Sequence, residues 1–176
     1  MSDLQNKLNK IKGNENFLEK IKRFIPGYDG YLNRDNSREL DTQLRNFIAS
    51  KLDSNKTKIA NVTLNLSKAG KLFETQDIDR IDKKNETAIA KFKSAARGYS
   101  GAFDIVKIKE EKLEQIYNFD LALVNEADAI CALFGNLEAA SVTGEGLAEV
   151  KTQLLTSLDS LISKFDEREQ ILRSLD

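Results

Sequence analysis

The sequence predicts an all-α fold: an up-and-down helical bundle of about five to six helices with a long C-terminal helix, forming a single domain over residues 1–176. Three observations carry that expectation. Apolar residues recur at three- and four-residue spacing from end to end, and no segment shows the alternation that a half-buried strand needs. Proline occurs once in 176 residues, as Pro26, so little interrupts long helices. Hydrophobic residues make up 40% of the chain against 31% charged, which is enough to bury a core.

Element by element, Leu4, Leu8, Ile11, Leu18, Ile21 and Ile25 share one stripe. Ser2 or Asp3 would cap this helix, and Gly13-Asn14 would kink or divide it. Pro26-Gly27 suits the centre of a type II turn and ends it. A second helix is expected after a cap at Asn36 or Ser37, with Leu40, Leu44, Phe47, Ile48 and Leu52 inward. Residues 53–57 are rich in Asn, Ser and Lys and mark a joint. The third stripe, Ile59, Val62, Leu66, Ala69 and Phe73, is heptad-like. A fourth helix starts around Asp77, turns Ile78, Ile81, Ala88, Ile89, Phe92 and Ala96 inward, and ends at Gly98 and Gly101.

The fifth stripe is the most apolar: Ile108, Leu113, Ile116, Tyr117, Leu121, Val124, Ala127, Ile130, Cys131 and Phe134. Gly135 and the loop 141–146 are expected to stop it. Thr143 then caps a last helix of about 30 residues, roughly 45 Å long. Its seam is Leu147, Leu154, Leu158, Leu161, Phe165, Leu172 and Leu175, interrupted by Lys151 and Arg168. Val150, Leu155, Ile162 and Ile171 widen the stripe beyond a two-stranded coiled coil, as a bundle core requires.

Composition removes whole classes of chemistry. The chain has no His, so Ser-His-Asp and Cys-His catalysis and His-ligated metals are excluded. One cysteine, Cys131, excludes an intrachain disulfide and any multi-Cys metal site, and it reads as a small core residue in a reducing cytoplasm. The N-terminus is charged every few residues and lacks the apolar run of a secretory signal. No stretch is apolar enough to span a bilayer. Asp120 lies between Phe119 and Leu121 on the most apolar helix, with Asn118, Glu126 and Asp128 near. It is expected to pair with a cation from the basic half or to sit at the helix margin. Glu110, Glu111 and Glu114 read as a solvated first turn. No catalytic, cofactor-binding or metal-binding residue is assigned, and no cofactor is expected.

The net charge of −1 hides an asymmetry. Residues 1–106 hold 20 Lys+Arg against 14 Asp+Glu, a net of +6; residues 107–176 hold 7 against 14, a net of −7. The halves are expected to attract each other within one fold, the alternatives being attraction between subunits or a basic face left for an anionic surface. A pI of 5.7 and the lack of basic runs interleaved with aromatics argue against nucleic acid.

One element repeats. Gly27-Tyr28-Asp29-Gly30-Tyr31-Leu32-Asn33 aligns with Gly98-Tyr99-Ser100-Gly101-Ala102-Phe103-Asp104, giving G-Y-x-G-x-[LF]-[ND] at a spacing of 71 residues. Each copy follows a helix ending in Lys/Arg and precedes another, so a duplicated helix–GYxG–helix unit is one reading. Structurally, Gly supplies C-cap conformations and the aromatics pack over the bundle end. Functionally, Tyr28, Tyr31, Tyr99 and Phe103, framed by Gly27, Gly30, Gly98 and Gly101, would form a partner-binding surface. A phosphate cradle lacks the required glycine pattern and a preceding strand.

Two segments around these loops, FIPGYDGYLNRDNSRELDTQLR (24–45) and YSGAFDIVKIKEEKLEQIYNFDLAL (99–123), cover about a quarter of the chain. They resemble an uncharacterised bacterial all-helical family carrying PGYxGY and YxGxFD…YxFD segments. The resemblance implies a bacterial cytoplasmic origin and brings no activity, ligand or catalytic residue. Together these readings favour a non-enzymatic helical protein-interaction or scaffold module, with self-association through the long last helix. The alternative is a peripheral membrane-surface protein using the basic N-terminal half on anionic lipid; a small hydrolase acting through Asp120 is third.

Overall fold

The structure is a computed structural model, and it describes residues 19, 21–23, 34–94 and 110–173. Five α-helices account for nearly all of them: α1 Arg34–Asp53, α2 Lys56–Lys68, α3 Thr75–Ser94, α4 Glu110–Thr143 and α5 Leu147–Arg173. A short helical stretch at 21–23 contributes Ile21 to the core. The described residues contain no strand.

Helices α1 and α2 form one broken rod. At the break, the Ser54 hydroxyl donates to Lys51 O (2.6 Å) and Asn55 N–H donates to Leu52 O (3.2 Å). The Asn85 amide of α3 donates to the same Leu52 carbonyl at 3.1 Å. The break therefore leaves a carbonyl inside the bundle that a buried asparagine satisfies. That is why Asn, and not an apolar residue, fills heptad position 85 between Ile81 and Ala88.

The rods alternate in direction. Contacts of α1 and α3 run antiparallel, from Arg45 near Phe92 to Leu52 near Asn85. Lys51–Asp128, Asn61–Glu138 and Asn65–Ser141 show the α1–α2 rod running parallel to α4. Pairs Lys84–Asp159 and Lys91–Asp166, one heptad apart on both helices, show α3 parallel to α5. Helix α4 packs along α5 and the α1–α2 rod, while α3 packs on α1, α2 and α5. Consecutive helices α3 and α4 thus sit diagonally across a four-rod bundle. Leu40, Leu44, Ile81, Phe92, Val124, Ile130, Phe134, Leu154, Leu158 and Phe165 fill its interior, and the Phe92 and Phe165 rings meet at 4.3 Å.

Several local expectations are corrected. Helix α1 is already under way at Arg34, so neither Asn36 nor Ser37 caps it. Gly135 lies inside α4, which continues to Thr143 and spans 34 residues, about 51 Å. A single interior glycine costs only about 0.5–1 kcal/mol, less than the packing of Phe134 and Leu137 on either side supplies. Thr143 does not cap α5: its hydroxyl accepts from Glu145 N–H inside the turn, and α5 begins at Leu147 after two glycines with positive φ, Gly144 and Gly146.

The third stripe also ends early. Lys71 N–H donates to Leu66 O (2.9 Å) and Gly70 N–H to Ser67 O (3.1 Å) around Gly70 at φ +70, a Schellman stop for α2. Ala69 and Phe73 therefore leave the stripe, and Phe73 is 92% exposed instead of inward.

Candidate functional site

Two features stand out at opposite ends of the bundle. The first is a buried charge cluster where α5 ends. Heptad spacing along α5 places position 168 in the core between Phe165 and Leu172, and that position holds an arginine. Arg168 is fully buried; its Nε donates to Asp120 Oδ1 of α4 at 2.6 Å, and its Nη1 lies 2.8 Å from Asp41 Oδ1 of α1 and 3.5 Å from Glu169 Oε1. Arg45, also buried, donates from Nε to Asp41 Oδ2 at 2.8 Å, from Nη1 to Phe92 O at 3.1 Å and from Nη2 to Thr42 Oγ1 at 3.3 Å. One polar layer thus ties α1, α3, α4 and α5 together. Burial pushes Glu169 up from 4.5 to about 7; Asp41 adds to that push, while Arg45, Arg173 and Lys91 oppose it.

The other interruption of the α5 seam resolves the same way. Lys151 reaches Glu74 and Asp77 at the start of α3. Burial draws its ammonium down, but the hydrogen bonds it donates to Asp77 and Glu74 outweigh this and hold it above 10.5.

Asp120, expected to pair with the basic half or to lie at a helix margin, is instead buried and bridged by Arg168 of the acidic half. Near it, Glu126 pairs with Lys164 and Asp128 with Lys51. The charge asymmetry is otherwise met within the chain: Lys51, Lys84 and Lys91 of the basic half each hold a carboxylate of the acidic half. Cys131 is half-buried, not deep in the core; its thiol donates to Lys51 O and accepts from the Asn55 amide, both at 3.5 Å, beside the α1–α2 break.

The partner-binding residues singled out in the sequence, Gly27, Tyr28, Gly30, Tyr31, Gly98, Tyr99, Gly101 and Phe103, lie outside the described residues. Helices α1 and α4 run parallel and therefore start at the same end of the bundle, the end holding the Arg168 cluster.

At the opposite end, four large apolar side chains face solvent: Phe73 (92% exposed), Val142 (73%), Leu72 (63%) and Leu64 (51%). The Asn65–Ser141 hydrogen bond (3.0 Å) brings the ends of α2 and α4 together, and Lys71 Nζ lies close enough to Gly144 to block a Cβ there, at 2.9 Å. The Schellman stop and the 3-10 turn Leu72–Glu74 carry Phe73 away from the core. Sequence reasoning missed this end because Phe73 falls in register with the stripe before it; Gly70, two residues past the last helical turn, was the available signal.

Among the described residues, no group of three His, Cys, Asp or Glu side chains is arranged to hold a metal ion, and no helix is long and apolar enough to cross a membrane. No protein-family model matches the chain, and no curated protein or solved structure matches it either.

Proposed function

We propose that this chain is a non-enzymatic helical interaction module, a scaffold or adaptor that docks another protein on its apolar end. The observation that carries the reading is Phe73, 92% exposed and accompanied by exposed Leu72, Val142 and Leu64. Burying a side chain of this size on association is worth about 1.5–3 kcal/mol, and aromatic anchors dominate many interfaces. Because Phe73 projects as a knob, the matching partner is a protein with an apolar pocket. The Tyr/Gly segments, with Tyr28, Tyr31, Tyr99 and Phe103, are a second docking surface in this proposal. The bacterial cytoplasm is its proposed setting, where the single thiol of Cys131 stays reduced.

A photo-crosslinking phenylalanine analogue at position 73, compared with the same analogue at exposed Thr152 on α5, tests the reading. The expected result is a defined protein adduct at 73 that is absent at 152 and lost on Leu72→Asp. Absence of any protein adduct, or Phe73-dependent flotation with anionic vesicles instead, overturns it in favour of an inert end or a membrane surface.

A further inference from the structure

The apolar end carries charge that the fold leaves unspent. Lys68 and Lys71, at and just past the end of α2, are exposed, and so are Glu145 and Glu149 around the α4–α5 turn. Among the described residues none of these four closes an ion pair, and Glu149 accepts only the Gln153 amide of its own helix, at 3.2 Å. Glu74 and Asp77, by contrast, both hold Lys151. The exposed apolar residues are tied to the same two segments. Leu72 and Phe73 follow Lys71 directly, and Lys71 Nζ lies 2.9 Å from where a Cβ on Gly144 would stand, two residues after Val142. The Asn65–Ser141 hydrogen bond joins the neighbours of Leu64 and Val142. We propose that a second copy of this chain covers the apolar end, in a two-fold, end-to-end dimer in which Lys68 and Lys71 of each copy meet Glu145 and Glu149 of the other around Phe73. This rests on the reading of that end as a docking surface and names the molecule that fills it.

A two-fold contact brings the same patch from both partners together, so the patch must complement itself. A patch of one sign would repel its own copy. This one carries two cations on one segment and two anions on another, and turning the copy over sets each sign against its opposite. A partner of strong net charge gains nothing from so balanced a rim. Leu64, Leu72, Phe73 and Val142 expose roughly 500 Å² of side chain, against about 800 Å² per partner in a standard interface. The lysine stems extend the apolar surface at its edge. That size fits a weak, reversible dimer that fills as concentration rises. Apolar contact holds it, and salt does not screen apolar contact. The exposed ion pairs contribute little strength and set the orientation. Helix α4 of 34 residues is about 51 Å long, so the dimer presents its two Arg168 ends outward, roughly 100 Å apart.

The test uses the purified chain. Light scattering from about 10 µM to about 1 mM should show the mass rising from 19.8 kDa toward twice that value, while Phe73→Asp stays at the single-chain mass. Lys68→Glu with Lys71→Glu, and separately Glu145→Lys with Glu149→Lys, should each raise the dissociation constant about tenfold or more. An equimolar mixture of the two variants should regain the dimer, because each reversed segment then faces its opposite. A wild-type chain still monomeric at about 1 mM, or a dimer that survives Phe73→Asp, overturns the second copy. A mixture no better than its components overturns the two-fold pairing of signs. Wild type and Phe73→Asp decide the first point alone, so a reversed variant that failed to fold would not block it. The photo-crosslinking analogue at 73 separates this inference from the docking reading. An adduct of twice the chain mass in the purified protein supports both. An adduct formed only with a different protein overturns the second copy and leaves the docking surface standing, whereas no adduct at all overturns both.

Discussion

Arg168 Nε lies 2.6 Å from Asp120 Oδ1, and neither side chain exposes any surface to solvent. A charge interrupting an apolar seam is the clearest flaw in the α5 sequence, and its partner comes from a helix 48 residues away. Buried pairs of this kind add little net stability over an apolar substitute, yet removing one partner leaves the other charged and dry.

Arg168→Met should therefore destabilise the fold by about 3–5 kcal/mol, because it strands Asp120 and removes the cation beside Asp41. Adding Asp120→Leu should recover part of that loss. Urea unfolding followed by circular dichroism checks both, and a cost below about 1 kcal/mol for the single change would show that the cluster tolerates an uncompensated charge.

Lys151→Met should behave differently, although Lys151 interrupts the same seam. Its partners Glu74 and Asp77 keep 40% and 55% of their side-chain surface exposed, so water can solvate them once the ammonium is gone. The expected cost is under about 1 kcal/mol in the same urea assay.

Stability should also depend on pH through Glu169. Its carboxyl is held at about 7 in the folded chain against 4.5 ordinarily, so between those values the folded state binds the proton more tightly than the unfolded one. That contribution is complete below about pH 4.5 and is lost as pH rises through about 7. Relative to wild type, Glu169→Gln should gain about 3 kcal/mol between pH 4 and pH 8, at 1.36 kcal/mol per unit. Urea midpoints at the two pH values measure the gain; a constant difference would mean Glu169 titrates normally.

Phe73→Asp should leave the melting temperature nearly unchanged, within about 0.5 kcal/mol, because the side chain is 92% exposed. It should nonetheless abolish capture of a partner on the apolar end. Loss of helicity would show instead that Phe73 packs in the fold.

Solution mass by light scattering at about 50 and about 500 mM salt should be the same, since screening length changes severalfold but Lys51–Asp128, Lys84–Asp159 and Lys91–Asp166 are pairs within one chain. An oligomer that dissociates at high salt would place additional charge pairing between subunits.

What the sequence determined is local and periodic. Spacings of three and four residues fixed the helices and the inward residues from Leu40 to Leu52, Ile78 to Phe92 and Leu147 to Leu172, because a helix presents the same face whatever it packs against. The joint at residues 54–55 was legible too, from side chains that compete with the backbone for hydrogen bonds. Periodicity misplaced Phe73, since one glycine at φ +70 ends the helix while the apolar spacing continues past it. It also misjudged Gly135, where packing on both sides carries α4 through a poor helix former. Tertiary structure alone decided which rods are neighbours, that α3 and α4 sit diagonally, and that Arg168 and Lys151 meet carboxylates on other helices. Charge on a core position announces that a partner is needed; only the crossing of distant helices says which carboxylate supplies it, and how dry the meeting place is.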